Sequence, residues 1–229
     1  MVEVTTFCTG CRACEKICPK HCISMKPDSE GFLYAEIDQS LCVDCGACRK
    51  TCPQNLKVVN DSPLKIYALR SNDDKLLKKS ASGGVFAVAA MFVIQNGGVV
   101  FGAAYDKNMC VKHIKVDCET DLWKLQNSKY VQSDTGDTYV EVKQLLENGI
   151  TVLYSGTPCQ IAGLKRFLKR DYDNLFSMDI VCHGVPSPKI FAKYIEWQSK
   201  RLGESVVYCN FRDKAGGWGQ SLVLVTSPK

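Results

Sequence analysis

Eight of the chain's fourteen cysteines fall in two short runs of identical spacing. "CTGCRACEKICP", residues 8–19, sets Cys8, Cys11, Cys14 and Cys18 ahead of Pro19. "CVDCGACRKTCP", residues 42–53, sets Cys42, Cys45, Cys48 and Cys52 ahead of Pro53. Each member of the first run recurs 34 residues later (42−8, 45−11, 48−14, 52−18, 53−19). The first 60 residues therefore hold an internal duplication, Cys-x2-Cys-x2-Cys-x3-Cys-Pro written twice. So many thiols at such density are either a structural zinc clip or a pair of iron–sulfur clusters.

The spacing decides between them. A structural zinc ion takes two separated Cys-x2–4-Cys pairs. Three cysteines at steps of three, then a fourth before a proline, match the bacterial ferredoxin run, in which the fourth cysteine serves the other cluster. That exchange requires the motif in pairs. Two [4Fe–4S] clusters are expected, one on Cys8, Cys11, Cys14 and Cys52, the other on Cys42, Cys45, Cys48 and Cys18. Gly10 and Gly46 lie inside the ligand loops, where backbone can approach cluster sulfur. "GFLYAEID" between the halves alternates apolar and polar residues like a short covering strand. Cys22 has no counterpart in the second half and reads as a small buried thiol.

The elements that must carry this sulfur chemistry are those of an ordinary globular chain. Its 229 residues are 45% hydrophobic and 23% charged, enough to bury a core. A net charge of +5 is too weak to argue for nucleic acid. "MVEVTTFC" has neither a basic nor an apolar leader region. The longest apolar run, Val85 to Ile94, is about half of what a bilayer requires, so no membrane span is expected. Reduced thiols and a cytoplasmic setting follow.

"VNDSPLK", Val58 to Lys65, marks a domain boundary, giving a ferredoxin-type domain over 1–60 and an α/β domain over 61–229. "SASGGVFAVAAMFVIQNGG" reads as a buried helix starting near Ser82 and stopping at Gly97–Gly98. "VVFGAAY" and "VKHIKVD" read as an antiparallel strand pair. "DTYVEVKQLLEN" puts Tyr139, Val142 and Leu146 on one helical face. "ITVLYSG", "LFSMDIVC" and "SVVYCNF" read as strands separated by two helices. The first of these has Ile161, Leu164 and Leu168 inward, the second Ile190, Tyr194 and Ile195. The alternation implies a largely parallel sheet with right-handed crossovers.

Ligands of such sheets bind beyond the carboxyl ends of the strands. "SGTPCQ" and "CHGVPSP" both sit there and carry Cys159 and Cys182. These cysteines are core thiols, ligands of a third [4Fe–4S] cluster, or the lining of a redox cofactor site. The helix N-termini that follow could hold a phosphate. His183 is a candidate proton donor or a hydrogen-bonded structural residue. His21 and His113 read as structural or exposed, and Cys110, Cys118 and Cys209 as core thiols. "KRFLKR", 165–170, reads as a solvated helical face or a steering surface. Neither G-x-G-x-x-G nor a Walker A motif is present.

"SASGG", "SGTPCQIAGLK", "DIVCHGVPSP" and "FRDKAGGW", in that order, resemble the beta-subunit family of coenzyme F420-reducing hydrogenases and dehydrogenases, here behind a fused two-cluster ferredoxin domain. The resemblance implies a flavoprotein with FAD and [4Fe–4S] clusters, passing electrons between the clusters and F420 or another acceptor. It makes Ser82, Gly83, Gly84, Gly156, Thr157 and Pro158 candidates for the flavin site. It makes Cys159 and Cys182 candidates for cluster or flavin contact; with His183 beside them they are the candidate catalytic residues. Members run past the end of "SLVLVTSPK", so an incomplete C-terminal part is expected. The expected function is an iron–sulfur flavoprotein oxidoreductase with a redox partner protein or a small-molecule acceptor. The alternative is a non-catalytic ferredoxin relay subunit of a larger complex.

Overall fold

The computed structural model describes residues 7–55, 64–217 and 221–227. The linker expected over 58–65 lies mostly outside them. In the N-terminal unit, helix α1 (Ala13–Ile17) leads into strands β1 (Ile23–Pro27) and β2 (Leu33–Ile37), followed by helix α2 (Ala47–Thr51). β1 and β2 pair antiparallel, Met25 opposite Ala35.

The duplication is written into the backbone. α1 and α2 are related by the same 34-residue shift as the cysteines. Residues 10 and 12 have positive φ (69° and 62°), and so do their counterparts 44 and 46 (48° and 71°). The glycine changes place between the repeats: Gly10 and Arg12 in one, Asp44 and Gly46 in the other. A left-handed turn before each helix is thus imposed by the ligand loop rather than by glycine alone, and Arg12 and Asp44 carry the strain of a non-glycine residue there.

The remainder begins with helix α3 (Asp74–Lys78) and helix α4 (Val85–Gln95), then strands β3 (Val99–Tyr105) and β4 (Val111–Val116). Helix α5 (Thr138–Glu147), strand β5 (Val152–Gly156), helix α6 (Pro158–Leu168) and strand β6 (Leu175–Asp179) follow. The sheet runs β4-β3-β5-β6, with β3, β5 and β6 parallel and β4 antiparallel at one edge. Helix α7 (Pro188–Leu202) and strands β7 (Ser205–Asp213) and β8 (Ser221–Ser227) complete the chain. The fold class read from the sequence is the one observed: a ferredoxin-like unit before a mixed α/β domain with a mostly parallel sheet.

Four local expectations are corrected. The third strand, β7, does not join the parallel sheet but pairs antiparallel with β8 as a separate ribbon. Helix α4 is buried on one side only, through Ala87, Ala90 and Val93; Phe92 is 64% exposed. Its apolar residues exceed the stripe that the sheet can cover. In α7 Tyr194 and Ile195 pack inward as expected, joined by Phe191, which is buried and stacked on Tyr105, while Ile190 is exposed. Ser187 caps the Ile190 N–H and so fixes the rotational phase of this helix. Cys209 is buried as expected, but Cys110 and Cys118 are exposed, in the turns on either side of β4.

The sheet divides two cores. α4 packs on one face, with Ala90 and Val93 against Val100 and Leu153. α5 and α6 pack on the other, with Tyr139, Val142 and Leu164 against Phe101 and Tyr154. Cys11 and Ala13 of the N-terminal unit belong to this second core. Burial of α1 under α6 thus docks the cysteine-rich unit on the α/β domain.

Candidate functional site

The cysteine runs close around two adjoining cavities. Cys8, Cys11, Cys14 and Cys52 line the first, roofed by Met25, Ala35 and Ile37 of the hairpin. Cys18, Cys42, Cys45 and Cys48 line the second. Cys48 also borders the first, where the two meet. The fourth cysteine of each run therefore faces the cavity of the other. α1 and α2 deliver it there, each ending as its cysteine turns to extended backbone, Cys18 at φ −70° and Cys52 at φ −65°.

Burial pushes the Cys11 thiol up to about 11, with Cys52, Cys159 and Cys8 adding like charge. Burial likewise pushes Cys14 up to about 12, with Cys11, Cys8 and Cys52 adding to it. Thiolates crowded in so apolar a space need a cationic partner of their own. Among the described residues, no three His, Cys, Asp or Glu side chains close around a single ion. The four thiols that line each cavity are a donor set of the kind that holds a four-iron cluster.

The first cavity is fastened to the α/β domain by the loop before α5. Arg12 Nε donates to Asp134 Oδ1 at 2.5 Å and Arg12 Nη2 to Asp134 Oδ2 at 2.9 Å, with Glu15 gripping the same guanidinium. Thr135 Oγ1 donates to the Cys11 carbonyl at 3.3 Å. Gln132 Oε1 accepts from Leu33 N at 3.0 Å, while the Gln132 backbone N–H donates to Pro186 O at 3.0 Å. One loop therefore touches both the cysteine-rich unit and the "CHGVPSP" turn. At the centre, Cys11 Sγ lies 2.9 Å from where a β-carbon on Gly163 would stand. Gly163 is one helical turn after Cys159, and residues four apart share a helix face.

Topology puts the strand-end candidates at one end of the sheet, on helices that cover its opposite faces. α4 precedes β3 and α6 follows β5, and these strands are parallel, so both helix N-termini lie at the carboxyl end of the sheet. Ser82, Gly83 and Gly84 open α4; Gly156, Thr157 and Pro158 join β5 to α6. α6 and α7 begin with side chains already engaged there: Gln160 Oε1 accepts from Thr157 N at 3.0 Å, and Ser187 Oγ from Ile190 N. α4 begins on Gly84, φ 79°, without a side-chain cap. Lys214 Nζ reaches this loop and donates to Ser82 O at 3.1 Å. Cys159 is half-buried, its sulfur 3.0 Å from Thr157 Oγ1. Cys182 and His183 are exposed in the turn after β6, where Cys182 Sγ accepts from Gly184 N at 3.4 Å.

Residues 7–56 match the model of the 4Fe-4S dicluster domain. The N-terminal unit is thus similar to a domain that carries two iron–sulfur clusters. Residues 149–228 match the C terminus of the coenzyme F420 hydrogenase/dehydrogenase beta subunit. The resemblance read from the motifs holds for both parts, although "SASGG" precedes the second match. No curated protein matches the chain. Among solved structures, a xenon-derivatised F420-reducing [NiFe] hydrogenase complex from Methanosarcina barkeri aligns at 21% identity and a TM-score of 0.49. That alignment covers 74% of this chain and 64% of that one, so the chain spans less than two thirds of its length. No helix among the described residues is long and apolar enough to cross a membrane.

His113 takes the structural of its two expected roles, while Lys129 was not singled out from the sequence. His113 is buried below the strand end, Nδ1 2.7 Å from Ser133 Oγ and Nε2 3.0 Å from Ser155 O, its ring stacked on Tyr154. Burial pushes it down to about 4. Lys129 Nζ donates to Lys124 O and Gln126 O, both at 2.7 Å, and burial pushes it down to about 7. A histidine alternating within a strand carried a weak signal; a lysine in a loop carried none. "KRFLKR" is split: Phe167 and Leu168 are buried, and Arg166 donates to Lys50 O of the dicluster domain.

Proposed function

We propose that this protein is an iron–sulfur flavoprotein oxidoreductase in which the dicluster domain exchanges electrons with a flavin at the carboxyl end of the α/β sheet. Cys8, Cys11, Cys14 and Cys52 hold one cluster, and Cys42, Cys45, Cys48 and Cys18 the other. When bound, the clusters supply single-electron transfer and the flavin the conversion to two-electron chemistry, with F420 or another small molecule as partner.

The observation that carries this reading is the contact of Cys11 with Gly163. It brings the first cavity against α6, whose first turn holds Cys159 beside the strand ends. Gly156, Thr157 and Pro158 form the turn against which a flavin ring would lie, and Ser82, Gly83 and Gly84 offer the uncapped start of α4 to its phosphates. An 11-residue helix there presents backbone N–H groups and a favourable dipole, with Lys214 adding positive charge. Cys182 and His183 stand at the same end on an exposed turn, where an acceptor or a partner protein can reach them.

The test is the flavin-to-iron ratio of anaerobically prepared protein. About eight irons with one flavin are expected for two four-iron clusters and one FAD. Eight irons without flavin, in this chain and in a longer version, would leave an electron relay that works only through a partner.

A further inference from the structure

The run "KRFLKR" lies where the two units of the chain meet. Phe167 and Leu168 turn into the core and leave Lys165, Arg166, Lys169 and Arg170 exposed on the outer side and at the end of α6. Arg166 Nη2 donates to Lys50 O at 2.9 Å, which joins this side of α6 to the exposed Arg49 and Lys50 of α2. Neither helix contains a carboxylate. The six cations together exceed the chain's entire net charge of +5, so its positive excess is concentrated here. Each helix end carries only about half an elementary negative charge, far less than six cations.

At the other end of α2 is the mouth of the second cavity. Cys45 lines that cavity and is exposed, and beside it Leu41 and Val43 are 54% and 58% exposed. The first cavity instead abuts α6 through Cys11 and Gly163. An apolar centre beside a charged rim is the anatomy of a protein interface. We propose that this composite surface, made by α2 of the cysteine-rich unit and α6 of the α/β domain, docks an acidic one-electron carrier protein, with the second cluster at Cys45 as the point of exchange. Charge sets the occupant: a carboxylate-rich face around the carrier's redox centre complements the six cations, and a basic carrier is repelled. The point of exchange rests on the two-cluster reading given above. One electron passes from the carrier's reduced centre to the oxidised second cluster; no bond forms or breaks and no proton moves. Because α6 supplies most of the cations, the surface belongs to the assembled chain and not to the cysteine-rich unit alone.

The test uses the anaerobically purified chain with two probes, an acidic [2Fe–2S] ferredoxin and a basic c-type cytochrome. Affinity is read by titration calorimetry at low and moderate salt, and the potentials of both clusters by redox titration. The acidic probe is expected to bind, with an affinity that falls steeply with salt, and the basic probe is not. Lys165→Glu combined with Lys169→Glu should weaken the acidic probe about tenfold or more at low salt. The same reversal on α7, Lys193→Glu with Arg201→Glu, should have a much smaller effect. Equal losses in the two double variants, or equal binding of the two probes, overturn the docking site. Shifted cluster potentials with unchanged affinity would make the cations a counter-charge for the clusters and overturn it as well. Val43→Glu should also weaken the acidic probe; no effect there removes the point of exchange from Cys45. Should Val43→Glu lose iron, Leu41→Glu is read in its place. Fewer than about eight irons in the unsubstituted protein would sink the two-cluster reading, while docking is still decided by the affinities.

Discussion

Cys11 and Gly163 meet so closely that a β-carbon added to Gly163 would stand 2.9 Å from Cys11 Sγ and 3.1 Å from Tyr139 Oη. A helix-interior glycine normally costs about 1 kcal/mol relative to alanine. Here it is the condition for the dicluster domain to seat on α6. The neighbours that would have to yield are a cluster-facing cysteine and a tyrosine whose hydroxyl donates to Gln160 O at 2.7 Å.

Gly163→Ala should therefore destabilise the protein despite its better helix propensity, because overpacking costs about 1–3 kcal/mol and exceeds the propensity gain. A lowered denaturation midpoint, together with a shift in the potential of one cluster but not the other, is the expected pair of results. A variant as stable as the parent, with both potentials unchanged, would remove Gly163 from the junction.

Arg12 and Asp134 join the two units by a paired, part-buried hydrogen bond. Asp134→Asn leaves Arg12 half-paired and should lower stability by about 2 kcal/mol, the scale of hydrogen bonds to charged groups. Burial opposes ionisation of Asp134, but the Arg12 bonds outweigh it and hold the carboxyl below its usual range. The group's contribution is thus complete above the ordinary aspartate pKa and is lost as pH falls through the lower folded value. Denaturation of parent and variant should converge at strongly acidic pH.

His113 is buried neutral, with Asp134 favouring its proton and Lys129 opposing it. Its folded pKa of about 4 lies below its ordinary value of 6.5, so the unfolded chain binds the proton first as pH drops. Stability should be full above about 6.5 and decline toward 4 with a slope approaching 1.4 kcal/mol per pH unit. Urea denaturation at pH 7, 6 and 5 measures this slope, and His113→Asn should flatten it.

Cys159 and Cys182 should behave differently when changed to serine. Cys159 lies close enough to Cys11 for its charge to be felt there. Cys159→Ser is expected to keep about eight irons while shifting the potential of one cluster. Cys182, exposed on its turn, should leave iron content and both potentials as they are. A parent of about twelve irons that falls to about eight in either variant would make that cysteine a ligand of a third cluster.

Much of this molecule was legible in the chain because its determinants are local. Cysteine spacing is set by a short loop and a five-residue helix, so the repeat and the facing of each fourth cysteine toward the other run's cavity follow from counting, while the helices themselves were not read from it. Periodicity located α5, β5 and α6, whose apolar faces match what the sheet buries. Periodicity does not say which strand lies beside which. β7 has the composition of a sheet strand but pairs with β8, since strand pairing depends on long-range register and not on local pattern. The excess of apolar residues in α4 hid that only one side of the helix is covered.

Residues whose environment is made entirely by distant segments were illegible. His113 is defined by Ser133, Ser155 and Tyr154, and the Arg12 link to the α/β domain by an aspartate 122 positions away. The sequence by itself determined the duplicated cysteine runs of a dicluster-like domain and the glycine-bearing turns at the ends of parallel strands. Only the tertiary structure decided that Cys11 rests on Gly163 and Cys22 on Cys18. Those contacts arise from burying α1 under α6 and folding β1 back past α1, and a chain records such packing only in the space its side chains share once folded.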